Sequence, residues 1–181
     1  QGEFQQMQIS NKPETSIEKY FEVIGNKTAE LFGASCESGV IVANGNVKQQ
    51  KAAYNYGYNL GLAFQIVDDL MDFNSKSNKM GKNLGDDFKL GKTTLPIILA
   101  WEKSNPSERK FWIKTIKELK QGPSDFSKAL NILNKYDILD KCKNKAQEFI
   151  SKAKEALFEL PNTKYKEYLV GLANESIERS K

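Results

Sequence analysis

FQIVDDLMDF, residues Phe64 to Phe73, sets Asp68, Asp69 and Asp72 inside an otherwise apolar run. Burying a carboxylate without a partner is strongly unfavourable, so three of them here demand compensation from elsewhere in the chain. The run closes the longest apolar element of the sequence, expected as a helix over roughly Val47 to Phe73. At about 3.6 residues per turn, Gly57, Gly61, Gln65, Asp68 and Asp72 fall along one face of that helix. Leu60, Leu62, Ile66, Val67 and Leu70 occupy the others. A stripe of two small residues, an amide and two acids suits a face lining a polar cavity. Its glycines allow either close packing or room for a long ligand.

Asp69 lies three residues before Asp72, so Asp68 and Asp69 can both approach Asp72 at the C-terminal end of the helix. That end is the wrong pole for anions, because the helix dipole places partial negative charge there. The site therefore needs added positive charge, from a divalent metal or from lysines. Oxygen-only ligands favour Mg²⁺, which takes one or two carboxylates and completes its octahedron with water and phosphate oxygens. The segment MGKNLGDDFKLGKTTLP, residues 80–96, then supplies Lys82, Lys89 and Lys92 among glycines that let backbone approach an anion. Acids for a metal followed by lysines and glycines for phosphate describe a metal-diphosphate site. The blander alternative, a DDxxD at a solvated helix end, stays open on pattern alone. An EF-hand calcium loop does not fit, since the spacings after Asp68 and Asp72 are wrong for it.

Elsewhere apolar residues recur at helical spacing, and sustained period-two alternation is absent, which makes the expected fold all-α. Thr15 is expected to cap a first helix after Pro13, with Glu18 completing a capping box. Ile17, Tyr20, Phe21, Ile24, Thr28 and Leu31 form its apolar face, and Lys27 sits within that stripe. A lysine at the edge of a core stripe ordinarily snorkels outward. Further helices are expected over Ala34 to Ala43, from Thr94 through TLPIILAW, and over Ser107 to Lys120, Asp125 to Lys135, Ile138 to Leu160 and Lys164 to Arg179. Cys142, Ala146, Phe149, Ala153 and Leu157 make the core-facing stripe of the longest of these.

The 181 residues, 39% hydrophobic and 28% charged, fit a single domain over residues 1–181 with a substantial core. The net charge of +4 is carried by lysine, Arg109 and Arg179 being the only arginines, and no basic block supports nucleic-acid binding. Histidine is absent, which excludes His-based triads and imidazole metal sites. Cys36 and Cys142 have no CxxC spacing and read as reduced thiols. No stretch reaches the roughly 18 apolar residues of a membrane span, so a cytoplasmic protein without an integral membrane segment is expected. The opening QGEFQQMQIS lacks an initiator methionine and starts within a helical pattern, so the chain is expected to be part of something longer.

GLAFQIVDDLMDF followed by GKNLGDDFKLGKTTLP resembles the second aspartate-rich motif and downstream loop of the trans-isoprenyl diphosphate synthases, or polyprenyl synthetases. GEFQQM is similar to that family's GExxQ segment, YFEVIGNKTAELF to its lysine-threonine helix and LANESIERSK to its C-terminal end. ERKFWIKTI looks most like the long-chain, octaprenyl and decaprenyl type. The resemblance implies an all-α isoprenoid-synthase bundle around a central cavity and a head-to-tail prenyl transfer from an allylic diphosphate to isopentenyl diphosphate. It implies that Asp68, Asp69 and Asp72 hold Mg²⁺, that Lys27 and Lys92 grip the diphosphate, and that Lys82 stands beside it. Thr28 and Gln65 would line the cavity near the carbocation, with Phe64 as an aromatic wall, and active members are homodimers. An inward Lys27 follows from this resemblance. The family's earlier aspartate-rich motif and arginine pair are not in the sequence, which therefore carries half of such a site. Two other readings remain: a non-catalytic helical subunit that pairs with an active homologue, and, less fitting to the loop, a terpene cyclase.

Overall fold

The computed structural model describes residues 1–74 and 84–178, and among these every regular element is helical. Lys82, one of the expected site residues, lies outside the described residues, as does Arg179. The chain opens with α1 (Gly2–Ile9), then α2 (Ile17–Ile24), which runs without a break through a π turn, Gly25–Ala29, into α3 (Glu30–Val42). A tight turn leads to α4 (Val47–Met71), whose start is fixed by a capping box between Asn46 and Gln49. The short α5 (Asp86–Lys89) precedes α6 (Leu95–Lys103) and α7 (Pro106–Trp112), which ends in a second π turn, Ile113–Lys117. Then come α8 (Asp125–Lys135), α9 (Ile138–Ala156) with a terminal 3₁₀ turn, Leu157–Glu159, and α10 (Lys164–Glu178).

The central element is α4, which packs most extensively against α3 and α9 and meets α10 where the Tyr56 hydroxyl donates to the Leu169 carbonyl. Tyr20, Ile24, Ile66, Leu70, Trp112 and Ile138 belong to the larger of two apolar clusters, and Tyr56, Leu60, Ala63, Ile150 and Leu157 to the smaller. Each large apolar side chain so buried contributes about 1.5–3 kcal/mol relative to exposure. Of the stripe expected on α9 and its terminal turn, Cys142, Ala146, Ala153 and Leu157 are fully buried, whereas Phe149 is only partly buried.

Three expectations about the first helices need correction. Ser16, not Thr15, is the N-cap of α2, its hydroxyl accepting from the Lys19 N–H, while Thr15 Oγ1 donates back to the Lys12 carbonyl. The separate helix expected from Ala34 is instead α3, continuous with α2, because Gly33 does not break it but seats the ring of Tyr54. Leu31 is 70% exposed rather than on the core face. The π turn inserts an extra residue between Ile24 and Leu31, so the apolar stripe shifts phase and Phe32 turns inward in its place.

Candidate functional site

Gly57 and Gly61 settle one open question about the polar stripe of α4. A methyl on Gly57 would stand 2.3 Å from the Phe32 carbonyl oxygen, and one on Gly61 would stand 2.7 Å from the Ala29 Cα. The glycines thus serve close helix packing, not space for a ligand. One turn further, Gln65 faces the π turn, where Thr28 Oγ1 donates to Gln65 Oε1 at 3.1 Å. π turns are enriched at functional sites. Here the turn places Thr28 against Gln65, one turn before the acidic end of α4.

The three aspartates do not point one way. Asp68 is partly exposed, whereas Asp69 and Asp72 are buried. Asp69 Oδ2 accepts from the Tyr20 hydroxyl at 2.6 Å and from the Leu95 N–H at 3.3 Å. Gln65 Nε2 lies 3.4 Å from its other oxygen. Asp72 accepts from the backbone N–H of Asp87 at 2.9 Å and of Phe88 at 3.0 Å. Asp69 and Asp72 are thus each held by donors of their own; buried carboxylates take the backbone donors within reach. Among the described residues no cluster of three or more His, Cys, Asp or Glu side chains is placed to hold a metal ion.

These contacts explain how carboxylates survive at the negative pole of α4. The N-termini of α5 and α6 are both turned toward it, each offering backbone N–H groups with the dipole in the favourable sense. Asp69 takes the place of a cap for α6, and the Thr94 hydroxyl is buried without a partner. Gly85 makes the turn possible: it adopts a left-handed conformation, φ 77°, and its N–H donates to the Asp72 carbonyl. Burial pushes the Asp69 carboxyl up to about 7, opposed by the Tyr20 and Leu95 donors. Burial, then the neighbouring Asp69, drives the Tyr20 hydroxyl far above its usual range.

The lysines are held rather than loose. Lys27 donates to Gln6 Oε1 at 2.7 Å and pairs with Glu3 at 3.7 Å, its side chain about a quarter exposed. Lys27 therefore neither snorkels fully outward nor sits in the apolar core. Gly2 permits this docking, since a side chain there would collide with the Lys27 backbone. Lys92 is ion-paired to Asp87 and remains more than one-third exposed. Phe64 is half-buried, its ring 5.8 Å from that of Phe32. Sequence reasoning missed Asp87, whose carboxylate holds Lys92 while its N–H holds Asp72. It also took Tyr20 only as a core residue, although a buried tyrosine hydroxyl needs a partner.

The fold matches those of prenyl diphosphate synthases of known structure. A decaprenyl diphosphate synthase from Rhodobacter capsulatus superimposes with a TM-score of 0.94 at 37% identity, over 99% of this chain and 55% of that one. A polyprenyl synthase from Caulobacter crescentus, solved with calcium and isoprenyl diphosphate, gives 0.92 at 39% identity, over 99% and 54%. Octaprenyl diphosphate synthase of Haemophilus influenzae is 38% identical over 180 residues, 99% of this chain and 54% of that protein. The family model of polyprenyl synthetase matches residues 1–133, and the chain belongs to that family. It spans about half the length of the curated relatives it matches.

Proposed function

We propose that this chain supplies the second half of the active site of a polyprenyl diphosphate synthase. The enzyme adds isopentenyl diphosphate to an allylic diphosphate, acting as a homodimer in the cytoplasm. The observation that carries the reading is the contact of Thr28, next to Lys27 on the π turn, with Gln65, three residues before Asp68 on α4, in a chain of this family. No helix among the described residues is long and apolar enough to cross a membrane.

In the reaction the allylic C–O bond breaks and its electron pair leaves with the diphosphate. The alkene of isopentenyl diphosphate attacks the resulting carbocation, and a proton is lost. In this reading Asp68 would hold Mg²⁺, with Asp69 and Asp72 completing the motif behind it. One partly exposed carboxylate with diphosphate oxygens is a donor set that suits this ion, and histidine is not needed. When bound, Mg²⁺ neutralises charge on the leaving group. Lys27 and Lys92 exchange Gln6, Glu3 and Asp87 for diphosphate oxygens, with Lys82 expected beside them. Thr28 and Gln65 stabilise developing positive charge with their oxygens, and Phe64 forms a wall of the site.

The test is calorimetric titration with a non-hydrolysable allylic diphosphate analogue, with and without Mg²⁺. Binding that requires the metal and is lost in Asp68→Ala is expected. Metal-independent binding, or binding untouched by that change, would overturn the proposal.

A further inference from the structure

A buried amide has two ends of opposite polarity. Which end of Gln65 faces Thr28 decides whether that spot attracts or repels a cation. Thr28 cannot make the choice, because a hydroxyl both donates and accepts. Asp69 can: its Oδ2 is taken by two donors, and the NH₂ of Gln65, not its carbonyl oxygen, lies toward Oδ1, which leaves Gln65 Oε1 toward Thr28. Asp69 is itself clamped through its other oxygen, by the Tyr20 hydroxyl from α2 and the Leu95 N–H from α6. Both donors lie outside α4, so the carboxylate is referenced to the frame of the molecule, and Tyr20 is 2% exposed within that frame.

We propose that Tyr20 is a positioning residue. By clamping Asp69 it sets the orientation of the Gln65 amide, so that a carbonyl oxygen, not an NH₂ group, faces the carbon where positive charge develops. Thr28, donating its hydrogen to Gln65, is left with lone pairs for the same cation. The benefit is an electrostatic environment arranged before the charge appears. This rests on the carbocation chemistry proposed above.

The experiment compares two Mg²⁺-loaded ligands: an allylic diphosphate analogue with an ammonium group at the ionising carbon, and its neutral carbon isostere. The parent chain is expected to prefer the ammonium form. Tyr20→Phe should reduce that preference about tenfold, the scale of one hydrogen bond to a charged group. Gln65→Leu should reduce it at least as far, and Tyr20→Phe added to Gln65→Leu should change nothing more. An unaltered preference in Tyr20→Phe would overturn the inference, as would losses that simply add. If the parent binds neither analogue, the proposed function fails instead, and the clamp is then read from the side-chain NH₂ peaks of Gln65 in amide NMR. Peaks displaced by Tyr20→Phe but not by a remote core change such as Ser104→Ala would support the clamp. Peaks that stay in place would refute it.

Discussion

Replacing Gly57 by alanine sets two effects of opposite sign against each other. In the interior of α4, alanine is favoured over glycine by about 1 kcal/mol on helix propensity alone. The new methyl, however, would stand 2.3 Å from the Phe32 carbonyl oxygen, 2.7 Å from its carbon and 2.9 Å from Cys36 Sγ. Two of these neighbours are backbone, so α3 and α4 must move apart by about 1 Å, which forfeits a quarter to a half of each dispersion contact along the seam. Overpacking of this kind costs about 1–3 kcal/mol. Taking the upper end, because backbone cannot rotate away, the net loss is about 2 kcal/mol, or about 4–8 °C in thermal midpoint for a chain of this size. Gly39 is the control: it is exposed on α3 and a methyl there meets nothing within 4 Å. Gly39→Ala should stabilise by about 0.5–1 kcal/mol. Both are read by urea denaturation followed by far-ultraviolet circular dichroism. A Gly57→Ala protein as stable as the parent, or more so, would show that the glycine leaves open space and that the close helix seam is not the reason for it.

Asp72→Ala strands the N–H groups of Asp87 and Phe88 and should cost about 2–4 kcal/mol in denaturant titration, whereas Asp68→Ala should cost less than about 1 kcal/mol while removing Mg²⁺-dependent binding. Ser104→Ala leaves the buried Trp112 indole N–H, which donates to Ser104 Oγ at 2.9 Å, without an acceptor. A loss of about 1–3 kcal/mol should accompany a changed tryptophan emission. The Lys114 ammonium and the Gly122 N–H hold the Asp125 carboxyl below its ordinary value of 3.8. Its contribution is thus complete above about pH 4 and lost as pH falls through the lowered folded value. Asp125→Asn should flatten that part of the acid limb of stability, and an unchanged limb would argue against the pairing.

How much of this was legible beforehand depended on whether a side chain or the backbone carried the information. Helix α8 runs from Asp125 to Lys135 as read from apolar spacing, and α4 differs from expectation by two residues at its end. Leu31 was misplaced because a π turn leaves no mark in composition: GNKTA has no residue that forbids an ordinary helix. At the site, the acid and lysine pattern announced itself. The partners of Asp69 and Asp72 did not, because they are mostly backbone N–H groups of residues 87, 88 and 95, and every residue but proline has one. The glycines of α4 admitted two meanings in one dimension, and the positions of Phe32 and Ala29 chose between them.

The π turn at Gly25–Ala29 also bears on how this protein tolerates evolutionary change in length. Deleting one residue from it would leave a respectable, unbroken α-helix, and nothing in local propensity would object. Everything before the deletion would nevertheless swing by about 100° relative to everything after it. Tyr20 would leave Asp69 while Phe32 stayed beside Gly57, or the reverse. Substitutions inside the turn are local events, but an insertion or deletion there is a rotation of half a helix. Residue number, more than residue identity, is what this segment must inherit intact.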